Sequence, residues 1–364
     1  MTVRPKAASV RFEQVTKAFG AVKAVDSVSF TVEAGTLATL LGPSGCGKTT
    51  TLRMIAGLEL PTGGRIFIGD RDVTRVHATE RDVSMVFQSY ALFPHMTVLE
   101  NVSYGLEVQG GERKAIEDQA REGLKLVSLD GYDARMPSEL SGGQQQRVAV
   151  ARALVLEPQV LLFDEPLSHL DAKLRRRMRE DIRELQQKLG LTSVYVTHDQ
   201  SEALAVSDKV IVMDQGHIAQ EGAPRDLYDS PDTVFVADFI GDANLVKGEL
   251  RRAGAADHAN AGPDMAEVRL ANLKVLLPHR DMPDGAIDVA IRPQAIELAT
   301  TRPGRTYLEG SVLKAAYIGS HMEYEIATPL GELFAIDVAT GRPLTRGATV
   351  FITLSNRGVT VAKP

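Results

Sequence analysis

The stretch "GPSGCGKT", Gly42 to Thr49, combines residue types and a spacing suited to phosphate chemistry. It fits the pattern G-x-x-x-x-G-K-[ST]. Glycines leave backbone N–H groups free to point at phosphate oxygens. A helix opening on the loop adds the partial positive charge of its N-terminus. On this reading Gly42, Pro43, Ser44, Gly45, Cys46, Gly47, Lys48, Thr49 and Thr50 surround the phosphates of ATP. Lys48 reaches the β- and γ-phosphates, and the Thr49 hydroxyl ligates Mg2+. Cys46 reads as a small space-filler, because no second cysteine or metal-ligand set accompanies it. Its alkylation is expected to block nucleotide binding sterically.

Two carboxylates follow an apolar run in "VLLFDEP" (160–166). A buried strand delivers Asp164 to its C-terminal end, where ligands bind in open α/β sheets. Asp164 suits a contact to Mg2+, and Glu165, on the other side of the strand by alternation, suits the general base that polarises water. "VTHDQSEA" ends another apolar run with His198, whose neutral imidazole can accept from that water and donate to the γ-phosphate. Asp199 with Glu202 resembles a helix cap. Gln88, after the apolar "MVF", can reach Mg2+ and the water without carrying charge, and "TVLE" (97–100) is a capping box. Tyr90, Leu92 and Phe93 form an apolar cluster, readable as local core or as a docking surface. "LSGGQQQR" (140–147) is a bare, donor-rich turn ahead of a helical pattern.

These groups need a scaffold. Short aliphatic runs alternate with helical patterns to about residue 240, which reads as α/β. "TLATLLG" (36–42), "VLLF" (160–163), "SVYVT" (193–197) and "KVIVM" (209–213) are the expected core strands. From Ala172 to Leu189, apolar residues at Leu174, Met178, Ile182, Leu185 and Leu189 make one helix face, with Arg175, Arg176, Arg177 and Arg179 read as a solvated face. After Gly241 the texture changes. A loop, "RAGAADHANAGPD", precedes strand-like segments "IDVAIRP", "EGSVLKAAYIG", "HMEYEIAT", "ELFAIDV" and "TVFITL", the signature of a small all-β domain. The expected domains are 1–240, with a helical subdomain about 88–155, and 241–364.

The 364 residues carry a net charge of -6, which gives no basic excess for nucleic acid. The single cysteine permits no internal disulfide and fits a reducing cytosol. "MTVRPKAASV" has no signal-peptide core. The most apolar stretch, "RVAVARALVLEPQVLLF", is broken by Arg152, Glu157 and Pro158, short of the roughly 18 apolar residues of a membrane span. Any membrane role therefore needs partner subunits.

With "GPSGCGKT", Gln88, "LSGGQQQR", "VLLFDEP", "SHLD" and His198 in this order, the chain resembles an ABC transporter nucleotide-binding subunit. "LSGGQQQR" discriminates it from other phosphate-loop families. The tail resembles the β-barrel extension of maltose, polyamine and ferric-ion importer ATPases, with "IRPQAIEL" like the start of its barrel module. The resemblance implies an α/β P-loop ATPase domain, with a RecA-like core and helical subdomain, followed by an OB-like regulatory barrel. It implies ATP hydrolysis with Mg2+ in a head-to-tail homodimer, in which Ser141, Gly142, Gly143, Gln144 and Asp171 of one copy meet ATP on the other. Phe19 resembles the aromatic that stacks on adenine; packing in the core is the alternative. His169 departs from the small or amide residue usual beside Asp171. The implied partners are two membrane-spanning permease subunits and, indirectly, a periplasmic or extracellular solute-binding protein, with the chain peripheral on the cytoplasmic face. "SMVFQSYALFPHM", "VYVTHDQSEALAVSD" and "FIGDANL" resemble ferric-ion importers, with polyamine, sugar-phosphate and aminoethylphosphonate importers similar over the same segments. A soluble ABC protein of repair or translation is the reading from another class; such chains usually fuse two cassettes or insert a coiled coil, and this one does neither.

Overall fold

The computed structural model describes residues 7–252 and 264–363, other than 305, 340, 342 and 356. Residues 1–6 and most of the loop "RAGAADHANAGPD" lie outside the described residues. The chain divides into two compact units, Met1–Pro224 and Arg225–Pro364.

The first unit opens on a hairpin, β1 (Val10–Phe19) and β2 (Val22–Val32), that the sequence patterns above do not single out. With β4 (Gly63–Ile68) and β5 (Arg71–Asp72) it forms an antiparallel sheet of order β2-β1-β4-β5, centred on stacked Phe12 and Phe30 rings 4.5 Å apart. The main sheet uses β3 (Leu37–Leu41), β6 (Val83–Val86), β7 (Val160–Asp164), β8 (Thr192–Thr197), β9 (Lys209–Asp214) and β10 (His217–Gly222), in the order β10-β9-β3-β8-β7-β6. All pairs are parallel except the edge pair β10–β9. Strands β3, β7 and β8 are buried along their whole length, which explains why their residues do not alternate between apolar and charged: both faces of a parallel sheet are covered. The register pairs Leu41 with Thr197 and Asp164 with Val196, so the loops after these three neighbouring strands leave the sheet at one edge.

The helices are α1 (Lys48–Ala56), α2 (Val98–Gln109), α3 (Arg113–Leu126), α4 (Gly142–Leu154), α5 (Ala172–Leu189) and α6 (Gln200–Val206). The capping box at α2 is formed: Thr97 Oγ1 accepts from the Glu100 N–H at 3.3 Å, and Glu100 Oε2 accepts from the Thr97 N–H at 2.7 Å. The apolar face of α5 buries Met178 and Ile182. Its arginines are not one solvated face. Arg176 and Arg177 are exposed, but Arg175 bonds Asp199 and Arg179 donates to the Ser201 carbonyl at 3.1 Å, because α6 and its cap lie against that side. Among the described residues, no helix is long and apolar enough to cross a membrane.

In the second unit, β11 (Asn244–Arg252), β12 (Met265–Leu270), β13 (Leu273–Pro278), β14 (Gly285–Ile291) and β20 (Val359–Ala362) form one antiparallel sheet of order β13-β12-β11-β14-β20. The other, β15-β19-β16-β17-β18, uses β15 (Ile296–Ala299), β16 (Leu308–Tyr317), β17 (Met322–Thr328), β18 (Gly331–Asp337) and β19 (Thr349–Leu354). Burial alternates along β12 and β17, and both sheets line one apolar core. The Asn244 amide ties them, donating to Ile291 O at 3.1 Å and Phe334 O at 2.8 Å and accepting from the Phe334 N–H at 2.6 Å. This is an OB-like antiparallel barrel domain.

The compact division falls at residue 224, sixteen residues before the change of texture at 240, because α7 (Pro224–Asp229) and α8 (Val234–Phe239) are held by the barrel. The buried Arg292 guanidinium donates to the carbonyls of Tyr228, Ala237 and Ile240, with its charge 4.3 Å from the Tyr228 ring centroid. Helical texture in the sequence therefore continues into a unit whose core is all β.

Candidate active site

β3 delivers the chain straight into the glycine loop. A Cβ on Gly42 would stand 2.2 Å from the Met213 carbonyl oxygen, and one on Gly47 would stand 2.4 Å from the Ala24 carbonyl oxygen. Both positions require glycine by space. Gly45 has open space around it but a φ of 81°, so there the requirement is conformational. Helix α1 starts on Gly47 with no side-chain cap, leaving its first-turn N–H groups to the loop side. Lys48 is 6% exposed, and its Nζ donates to Gly42 O at 2.7 Å and Pro43 O at 2.8 Å. Burial pushes the Cys46 thiol up against the pull of Lys48, whose Nζ lies 3.8 Å from Sγ. The buried, protonated thiol agrees with a packing role.

Asp164 closes β7 with Oδ1 at 3.4 Å from Thr49 Oγ1. Burial raises its carboxyl above the usual range; Arg53 works against this and Glu165 with it. Glu165 does not continue the strand alternation expected of it. Its φ of 44° puts it in the left-handed region, where a non-glycine residue is strained. Its N–H donates to Val196 O of β8 at 3.1 Å, and its carbonyl accepts from Ser168 Oγ at 3.0 Å. The turn aims the carboxylate at the end of β8, where Oε2 lies 3.2 Å from His198 Nδ1. Gln88 Nε2 donates to the same Ser168 hydroxyl at 3.2 Å. Ser168, a residue that sequence reasoning passed over inside "SHLD", thus links Gln88 to the Glu165 backbone, while His198 meets the Glu165 carboxylate directly.

Asp199 caps α6, accepting from Ser201 N–H at 2.8 Å and Glu202 N–H at 3.2 Å. Glu202 does not complete a capping box. It is 4% exposed and accepts instead from Tyr195 and Thr197 hydroxyls on β8. The Tyr90–Phe93 cluster divides. Tyr90 is buried in the core, whereas Phe93 lines a groove of about 490 Å3 with Leu58, Phe87, Ala91, Tyr104 and Arg152. Tyr90 and Ala91 both have positive φ, and Arg152 of α4 donates to their carbonyls at 2.9 and 2.7 Å. The signal for this was an arginine inside the apolar "RVAVARAL" pattern.

The signature turn packs against the start of α5. Ser141 caps α4 in a capping box with Gln144, which also donates to Tyr132 Oη at 3.2 Å. Its glycines have an internal reason. A Cβ on Gly143 would lie 2.9 Å from Leu174 Cδ1, and one on Gly142 would lie 3.2 Å from Leu170 Cδ2. Asp171, between those leucines, caps α5 by accepting from the Leu174 N–H at 2.9 Å. Ser141–Gln144 and Asp171 therefore pack together around Leu170 and Leu174, while Thr49 and Asp164 meet at the phosphate loop. Phe19 is 51% exposed at the end of β1, with Lys17 Nζ 4.8 Å from its ring centroid, so it does not belong to the core.

Strand, glycine loop, helix, an acidic pair at the end of β7 and a capped SGGQ turn define a P-loop ATPase of the ATP-binding-cassette class. Residues 25–168 match the family described as ABC transporter, and residues 289–361 match the TOBE domain. The chain is 57% identical over 359 residues to a Brucella abortus (strain 2308) protein named Fe(3+) ions import ATP-binding protein FbpC, covering 99% of this chain and 98% of that one. It is 49% identical over 320 residues to a Haemophilus influenzae protein named Fe(3+) ions import ATP-binding protein FbpC 1, covering 88% and 94%. Among solved structures, the dimeric post-hydrolysis state of the cassette MJ0796 with ADP and Pi superposes with a TM-score of 0.53 at 32% identity, covering 59% of this chain and 99% of that one. The chain belongs to the ABC transporter ATP-binding proteins, and is an ATP-hydrolysing subunit with a C-terminal TOBE domain.

Proposed function

We propose that this subunit powers import of ferric iron as a head-to-tail homodimer, bound to two membrane-spanning permease subunits on the cytoplasmic face of the membrane and served indirectly by a solute-binding protein. The cargo reading rests on 57% identity to the ferric-ion import protein along nearly the whole of both chains. The dimer reading rests on one phosphate loop and one signature turn per chain, so that each copy supplies to the other the half that completes its site. The groove lined by Phe87, Phe93 and Tyr104 is the surface offered to the permeases. In this reading the nucleotide-binding part lies within residues 1–240, with 88–155 as its helical subdomain; its last segment, 225–240, is held by the barrel, which after 241 is a regulatory module.

The observation that carries the mechanism is the Glu165 carboxylate held 3.2 Å from the His198 imidazole, on the loops beside Thr49 and Asp164. Glu165 takes the proton of the attacking water, and His198 orients that water and donates to the γ-phosphate. Lys48 exchanges its two loop carbonyls for phosphate oxygens. The N–H groups of Gly45, Gly47, Lys48, Thr49 and Thr50 hold the phosphates, with Pro43, Ser44 and Cys46 shaping the loop and Phe19 stacking on adenine. Ser141, Gly142, Gly143, Gln144 and Asp171 contact the nucleotide on the opposite copy. A hydroxyl and a carboxylate 3.4 Å apart, with no cluster of three or more His, Cys, Asp or Glu among the described residues, suit a hard, half-hydrated cation. Thr49, Asp164 and Gln88 would hold Mg2+, which when bound neutralises phosphate charge.

Glu165→Gln keeps the shape and removes the base. Its hydrolysis should fall by about 10²-fold or more, while ATP binding persists and gel filtration finds a dimer that wild type forms only transiently. Hydrolysis at the wild-type rate would remove Glu165 from its role. Reconstitution with the permeases, and ATP turnover measured with ferric ion, polyamine, sugar-phosphate and aminoethylphosphonate cargo in turn, tests the solute.

A further inference from the structure

We propose that Arg175 is a positioning residue that couples the Asp171 loop to His198. The proposal rests on the roles given above to His198 and Asp171. Arg175 lies in the first turn of α5, where its N–H donates to Asp171 O at 2.8 Å. Its guanidinium is forked between two loops. Nη2 donates to Leu170 O at 3.2 Å, on the residue before Asp171, and Nη1 donates to Asp199 Oδ2 at 3.2 Å, on the residue after His198. Nε is buried with no hydrogen-bond partner and faces Glu202 Oε1 at 3.7 Å.

What Arg175 holds is itself fixed to β8. The other Glu202 oxygen accepts from Tyr195 Oη at 3.1 Å and Thr197 Oγ1 at 2.8 Å, and the Asp199 N–H donates to Thr197 Oγ1 at 3.0 Å. His198 is thus mounted between Thr197 and Asp199, two residues on one network, while its own ring stays 60% exposed. The side chains of Arg175 and Asp199 are 34% and 25% exposed and that of Glu202 is 5% exposed, so the network is screened less than a surface pair. A guanidinium serves a carbonyl and two carboxylates in one plane, which an ammonium cannot. When a second copy closes on Asp171, displacement of the start of α5 moves Asp199 through this fork, and the imidazole shifts against Glu165.

The test compares Arg175→Gln and Arg175→Lys with wild type, each alone and in a His198→Ala background, by steady-state ATPase kinetics and thermal unfolding. Arg175→Gln should lower kcat about tenfold with KM for ATP changed less than about twofold. Arg175→Lys should unfold at the wild-type temperature yet retain a lowered kcat, because charge is kept and the fork is lost. In the His198→Ala background neither change should lower kcat further. Wild-type kcat in Arg175→Gln overturns the proposal, as does a loss in the His198→Ala background equal to that in wild type. Were His198→Ala itself to turn over at the wild-type rate, the role of His198 would fall and the coupling with it; an additive loss on top of a defective His198→Ala overturns the coupling alone.

Discussion

In the nucleotide-binding unit, Lys48 is 6% exposed and holds the carbonyls of Gly42 and Pro43, six and five residues behind it in its own loop. In the barrel unit, Arg292 is 2% exposed and holds the carbonyls of Tyr228, Ala237 and Ile240, from two helices and the segment after them. Each is a buried cation hydrogen-bonded to backbone oxygens, yet they do different work. The lysine contacts stay within one loop, and in the proposed function phosphate oxygens take their place. The arginine contacts join segments more than fifty residues away in the chain. Backbone strain does not follow that division: left-handed non-glycine residues include Asp242, Ala271, Arg280 and Asp281 in the barrel unit, and Gln14, Ser27, Glu157 and Gln215 as well as Glu165 in the first. A buried charge marks a working site when its partners can be exchanged, and a scaffold when they cannot.

The largest expected effect is at Gly42→Ala. The added Cβ meets the Met213 carbonyl oxygen at 2.2 Å, so the loop must shift, at about 1–3 kcal/mol or more. ATP binding, followed by titration with a fluorescent analogue, should be lost while the barrel unit unfolds as in wild type. Retained binding would break the comparison from the first side. Next is Arg292→Met, which leaves three carbonyls without their donor and should destabilise the barrel unit by about 1–3 kcal/mol. Calorimetry should find a lower transition for that unit with ATP affinity unchanged; loss of ATP affinity would break the comparison from the second side. The smallest effect sharpens it within the first unit. The Arg183 hydrogen bond holds the Asp208 carboxyl below its ordinary value, with the Leu37 N–H helping against burial. A depressed carboxylate contributes stability that is complete above its unfolded pKa and is lost as pH falls through the folded value. Asp208→Asn should therefore flatten the acid limb of the stability curve below about pH 4, by less than about 1 kcal/mol since the side chain is 37% exposed. An unchanged acid limb in that variant would remove the pair from the account.

Much of this was legible residue by residue. The core strands β3, β7, β8 and β9, helix α5 with its bounds, and five strands of the barrel follow from apolar runs and periodicities alone. The β1–β2 hairpin was not, because its burial is broken by bulges, with three register shifts of β1 against β2; β11–β13 were passed over too, although burial alternates along β12. Within the site, the types of Lys48, Asp164, Glu165 and His198 were readable because each ends a strand or opens a helix at a motif. Glu165 was expected on the strand pleat and instead turns left-handed, which no local pattern announces. Ser168, Arg152 and Arg175 were missed for one reason: each acts on backbone or side chains brought near only by folding.

By itself the sequence determined which groups could meet a phosphate, since glycine spacing, charge and strand ends are local properties of the chain. It also determined the α/β-then-β order, because hydrophobic period is written along each segment. Only the tertiary structure decided that loops more than thirty residues apart, after β7 and β8, point Glu165 at His198, because that depends on strand order and register in the sheet. It likewise decided that Gly143 serves packing against Leu174, and that residues 225–240 belong with the barrel, since both follow from contacts across the fold.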